Sequence, residues 1–291
     1  MSPNQRLLEG ILEDRTVAVW RNPISILRPL MVCFLCGCVG PTSPANLAWA
    51  TEVLVAPPLV VPAGVPEGDR IKSDPIGFLK ECLAIQDKKI QSYSCLLSKQ
   101  ERINGSMQSP EEIRVNFREQ PFSVHMSWRK GAGIAQAALY VEGENDNKIV
   151  AQPRGILSFA GQFERSIDSP DAKSGSRYSI DGFGMKKGMK RTLSAWEAAN
   201  ARQELVVEYL GLQRPPECDE RPCYVLRRPK YPRPEEDGIS DLTIWIDAET
   251  RQQVRSVMFD KRGKLLAAYS FSDVRINPEW PAGSFQRVGL K

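Results

Sequence analysis

The sequence predicts an α+β fold, a strongly curved antiparallel half-barrel sheet that holds helices on its concave side. Three observations predict it. Apolar residues alternate with polar ones in many short runs bounded by turn residues. Two stretches, near 75–90 and 183–199, have helical spacing instead. These helices interrupt a series of strands rather than alternating with each strand, which argues against parallel βαβ units.

The first helix is expected from Pro75 to about Ile90. Ser73 and Asp74 are capping residues, and Pro75 suits a first helical position. Phe78, Leu79, Cys82, Leu83, Ile85 and Ile90 form its apolar face, with Lys80, Glu81, Asp87 and Lys88 opposite. From Ser92 the period becomes two. Tyr93, Cys95 and Leu97, then Ile113, Val115 and Phe117, then Phe122, Val124, Met126 and Trp128 mark three strands.

Asn104 and Gly105 supply a hairpin turn between the first two of these runs. Residues 138–142 and 148–151 flank a turn at Asn145 to Asn147, which completes a meander. A polar loop, 166–176, leads into the second helix, marked by Phe183, Met185, Met189, Leu193 and Trp196. Strands follow at 205–212, 223–228, 242–247, 252–259 and 265–276, with 260–263 as a hairpin loop. The total expected is about ten strands and two helices.

Two helices cover only part of such a sheet, so a partly open apolar cavity is expected. Aromatic and Met side chains suit adaptable apolar ligands, and the candidates are Phe122, Met126, Trp128, Tyr140, Phe183, Met185, Met189, Trp196 and Trp245.

The opening segment has a different character. Arg28 precedes an apolar run from Pro29 to Gly37 that is too short to span a bilayer and fits the core of a secretory signal. Residues 1–50 are therefore read as a signal for export. Two processing sites compete: Ala48 to Ala50 has the small-x-small form, whereas Leu35 to Cys38 resembles a lipobox with Cys38 as the acylated residue and membrane anchor. Residues 51–73, rich in Pro, Val, Ala and Gly, are read as a disordered tether, and 74–288 as a single domain. The expected location is the periplasm, free or membrane-anchored.

Charge excludes one class of function. Thirty-nine basic and 35 acidic residues leave a formal charge of +4 with no basic stripe, which is unlike a nucleic-acid binder. Outside the signal the cysteines are Cys82, Cys95, Cys218 and Cys223, which allow three disulfide pairings in an oxidising compartment, among them Cys218 with Cys223 and Cys82 with Cys95. A four-cysteine zinc site is disfavoured because neither pair has C-x2-C spacing.

No catalytic residue, metal or cofactor is assigned. The single histidine, His125, sits on the polar phase of a strand without a nucleophile elbow in the sequence. Glu142, Glu144, Asp146 and Asn147 cluster, but their spacing does not match a calcium loop and suits a tight turn.

Residues 99–105, 115–128 and 139–148 resemble a bacterial envelope family known as domain of unknown function 1571, over about Asp74 to Asn277. Residues 242–250, 255–260 and 269–277 are similar to the broader group of LolA/LolB-like lipoprotein carriers. The resemblance implies a half-closed barrel with a hydrophobic cavity for lipid or lipoprotein acyl chains, and no catalytic residues. The expected function is non-catalytic acyl-chain binding; the alternative is a structural or sensing module that contacts another envelope protein.

Overall fold

The computed structural model describes residues 66–290 except 171, 173, 174, 230, 232 and 234–236. The signal segment, Cys38 and most of the tether lie outside the described residues. Twelve strands are found among the described residues: β1 (Ser92–Ile103), β2 (Ser106–Met107), β3 (Glu111–Arg118), β4 (Ser123–Lys130), β5 (Ala135–Val141) and β6 (Lys148–Pro153). Then come β7 (Phe163–Ser166), β8 (Glu208–Gln213), β9 (Cys223–Arg228), β10 (Asp241–Asp247), β11 (Gln253–Phe259) and β12 (Leu265–Ile276).

They form one antiparallel sheet in the order β7-β6-β5-β4-β3-β1-β12-β11-β10-β9-β8, with β2 paired to β1 off this path. Since β7 and β8 do not pair with each other, the sheet is open. Most pairings join sequence neighbours; β1 also reaches past the short β2 to pair with β3, and the long-range pairing is β1 with β12, where Tyr93 lies opposite Ile276 and Glu101 opposite Ala267. The Asn104-Gly105 turn has φ of 50° and 82°, the left-handed pair that a two-residue hairpin requires.

Helices α1 (Glu67–Ser73), α2 (Pro75–Lys89) and α3 (Met185–Ala201) accompany the sheet. The Asp74 carboxylate accepts the Gly77 N–H at 2.7 Å, and Pro75 opens α2. Helix α1 corrects the expectation of a disordered tether up to residue 73. Its seven residues would be marginal alone, but Ile71 is 1 % exposed in the core under α2, and Arg251 pairs with Glu67 at 2.8 Å.

The inward face of the sheet supplies most of the core. Tyr93, Cys95 and Leu97 of β1 meet Ile113, Val115 and Phe117 of β3, with the Tyr93 and Phe117 rings stacked at 4.6 Å. A second cluster packs α1, α2 and α3 on β9 to β12, where Phe78, Met189 and Trp196 meet Leu226, Ile244 and Ile246. On the other side of β5 and β6, Leu139, Val141 and Val150 are covered by Phe285 and Leu290 of the C-terminal segment.

The cysteine expectation is corrected: Cys82, Cys95, Cys218 and Cys223 are free, buried thiols. Cys82 and Cys95 belong to different core clusters, so no bridge joins them. Cys218 and Cys223 share a cluster, yet each thiol donates to a backbone carbonyl, of Val254 (3.5 Å) and Arg221 (3.4 Å) respectively. Burial pushes the Cys82 and Cys223 thiols up to about 12 and the other two further.

Candidate functional site

Alternation along β1, β3 and β4 delivers Leu97, Ile113 and Met126 to the concave face, beyond the reach of α2. The segment 175–184 and the start of α3 cross in front of them. Between the two lies a cavity of about 640 Å³, lined chiefly by apolar side chains. Gly184 makes the crossing close: its φ is 124°, and a Cβ there would lie 3.2 Å from the Phe117 ring. At the edge, Arg191 lies 4.1 Å over the Tyr178 ring and donates to Gly182 O, while Tyr178 OH donates to Asp237 at 2.9 Å.

One corner of the cavity is polar. Lys99, Glu101, Glu111, Trp128, Ser176 and Tyr269 all line it. The Lys99 ammonium lies 3.3 Å from Glu101 and 3.4 Å from Glu111. Tyr269 OH (2.6 Å) and Ser176 Oγ (3.2 Å) donate to the other Glu101 oxygen, and Trp128 Nε1 donates to Glu111 at 2.6 Å. Every carboxylate oxygen thus has a donor, as burial demands. Two carboxylates thus face one ammonium in this corner. Burial, and then the neighbouring Glu101 charge, pushes the Tyr269 hydroxyl up.

Of the nine residues expected at the cavity, Met126, Trp128, Phe183 and Met185 line it. The other five lie elsewhere. Phe122 and Tyr140 are buried beside it, with Lys187 Nζ 3.6 Å over the Phe122 ring. Met189 and Trp196 face the helix–sheet core. Trp245 points away from Ile244 and Ile246 on the strand's other side, 4.4 Å below the Arg255 guanidinium.

Sequence reasoning missed the polar corner, although a signal existed: the odd-numbered inward phase of β1 runs on through Lys99 and Glu101.

His125 lies on the convex side, where Nδ1–H donates to Ser284 O at 3.1 Å. Burial holds its pKa below the usual value. The acidic cluster is a turn, with Asn145, Asp146 and Asn147 all at φ of 52–55° and Asn147 accepting the Gly143 N–H. Among the described residues no group of three His, Cys, Asp or Glu side chains is placed to hold a metal. No helix among them is long and apolar enough to cross a membrane.

Residues 90–288 match the family described as Protein of unknown function (DUF1571). No curated protein matches. Among solved structures, the chain is similar to a DUF1329 family protein from Desulfovibrio piger ATCC 29098, at 12% identity and a TM-score of 0.37, covering 76% of this chain and 99% of that one. It is also similar to the Mycobacterium tuberculosis lipoprotein LppX, at 14% identity and a TM-score of 0.42, covering 71% and 98%. A LolA superfamily protein from Nitrosomonas europaea is similar at 10% identity and a TM-score of 0.30, covering 73% and 99%.

Proposed function

The chain belongs to the DUF1571 family, and we propose that it is a non-catalytic protein of the cell envelope whose cavity takes an acyl chain of a lipid or lipoprotein. The observation that carries this reading is the cavity of about 640 Å³ with apolar walls. That volume lies within the roughly 300–1,000 Å³ of small-molecule sites. Filled by water alone, walls of Leu97, Ile113, Met126 and Phe271 would stay wet at a cost of roughly 25 cal/mol per Å² of apolar surface. An acyl chain removes that cost, and the polar corner at Lys99 meets the ligand's polar end.

Export through the signal-like segment would agree with this role. The signal-like segment would deliver the domain across the inner membrane, and acylation at Cys38 would hold it there as an acceptor. Cleavage after Ala50 would release a soluble carrier instead.

The test is to express the full chain with its own signal in a bacterial host, fractionate the cells, and take an intact mass and a lipid extract of the purified protein. Co-purified lipid, displaced by a fluorescent fatty-acyl probe, is expected. Absence of lipid together with failure to bind the probe would sink the proposal. Ala151→Leu, which adds volume at the cavity wall, should weaken the probe at least about fivefold.

A further inference from the structure

Two loops stand side by side at one end of the sheet. One, residues 131–134, joins β4 to β5; the other, 154–162, joins β6 to β7. The Arg154 N–H donates to Ile134 O at 2.8 Å, and its guanidinium donates to Ala132 O at 3.1 Å, so the loops are tied. Their tips carry Ile134, Ile156, Leu157 and Phe159, which are 71%, 87%, 59% and 92% exposed. These are four of the eight large apolar residues exposed among the described residues, gathered into two short loops.

Backbone geometry rather than packing holds the second loop out. A short 3-10 turn, 155–160, is framed by Gly155 and Gly161 at φ of 63° and 80°, and no atom stands within 4 Å of a Cβ at either glycine. Charge follows the same plan. Neither loop contains an acidic residue, while Arg129, Lys130 and Arg154 are exposed at their bases. Lys130 pairs with Glu112, but Arg129 and Arg154 meet no carboxylate among the described residues.

Apolar tips backed by two arginines match the layering of an anionic membrane, with acyl region below and phosphates above. The tips protrude and offer no groove for a peptide. They also adjoin the cavity, because Gly133, Ile134, Ala135 and Phe163 line it.

We propose that these loops dock the protein on an anionic bilayer, with Ile134, Ile156, Leu157 and Phe159 entering the interface and Arg129 and Arg154 meeting lipid phosphates. The rim of the cavity then faces the membrane. Docking does not depend on what the cavity holds.

The experiment uses the full chain with Cys38→Ser, so that no acyl anchor contributes, and vesicles of equimolar phosphatidylglycerol and phosphatidylethanolamine. Co-sedimentation is expected, and Ile156→Ser/Leu157→Ser/Phe159→Ser should lower the partition coefficient about tenfold or more. The midpoint of thermal unfolding should stay put, since these side chains are mostly exposed and belong to none of the core clusters. Phe159→Trp should show a blue-shifted emission on adding vesicles, and Arg129→Gln/Arg154→Gln should weaken binding to these vesicles but not to phosphatidylcholine. An unchanged partition coefficient in the triple variant, or no shift at Trp in position 159, overturns the proposal. Ala151→Leu separates the two readings: it should impair acyl-probe uptake and leave vesicle binding unchanged.

Discussion

Replacing Lys99 by Met removes the one ammonium in contact with both carboxylates of the cavity corner. The side chains of Lys99, Glu101 and Glu111 are 10%, 4% and 19% exposed, so water cannot make good the loss. Removing one partner of a buried ion pair costs about 3–5 kcal/mol, because a charge is left uncompensated. Here two carboxylates are stranded, but neither is bare. Glu101 keeps the Tyr269 and Ser176 hydroxyls, and Glu111 keeps the Trp128 indole. Hydrogen bonds to a charged group contribute about 1.5–3 kcal/mol each, which places the expected loss near the low end, about 3 kcal/mol.

Urea unfolding followed by tryptophan emission measures it, provided the m-value is unchanged. Adding Glu101→Gln to the Lys99→Met variant removes one stranded charge and should recover at least about 1 kcal/mol, a coupling expected of residues in direct contact. A loss below about 1 kcal/mol in the single variant, at constant m, would mean the corner is solvated. The corner would then not serve as a buried polar end for an amphiphile.

Other outcomes follow from the same structure. Ile71→Ala should destabilise by about 2–4 kcal/mol, and equality with wild type would return residues 67–73 to the tether. The four buried thiols should resist a maleimide at about pH 8 in the native state and all react in urea without reductant; fewer than four would reveal a bridge among them. For this count Cys33, Cys36 and Cys38 are replaced by Ser. His125 has a depressed folded pKa, so the unfolded chain binds more protons and the neutral ring's contribution is lost as pH falls below about 6.5. Wild type should therefore lose stability relative to His125→Gln between about pH 7 and pH 5, and parallel curves would refute the assignment.

The strands were legible wherever one phase was apolar and the other polar. The runs 223–228 and 265–276 match β9 and β12 end to end, and Asp74-Pro75 marks the start of α2. What escaped has physical causes. β7 has four residues and β2 two, too few to establish a period. Trp245 was misplaced because β10 is apolar on both phases, with Ile244 and Ile246 on one side and Trp245 on the other. The polar corner was hidden because a lysine and a glutamate at inward positions resemble a solvated face until the neighbouring strands bury them. The cysteine pairing failed because a count of four says nothing about which way each sulfur points.

The pairing of β1 with β12 also bears on how the chain comes together. Strands β1 to β7 and β8 to β12 are each built from neighbours in sequence, so either half can zip up by local steps. The seam between them joins the first strand synthesised after α2 to the last, and its closure must wait for residues near 276. Until then each half carries a second raw edge, the kind of template on which strands of different chains adhere. A chain released from the ribosome before β12 would hold every residue of the polar corner except Tyr269 and still be unable to join the two halves of its sheet. The last strand is therefore the one whose loss should convert a folding protein into an aggregating one.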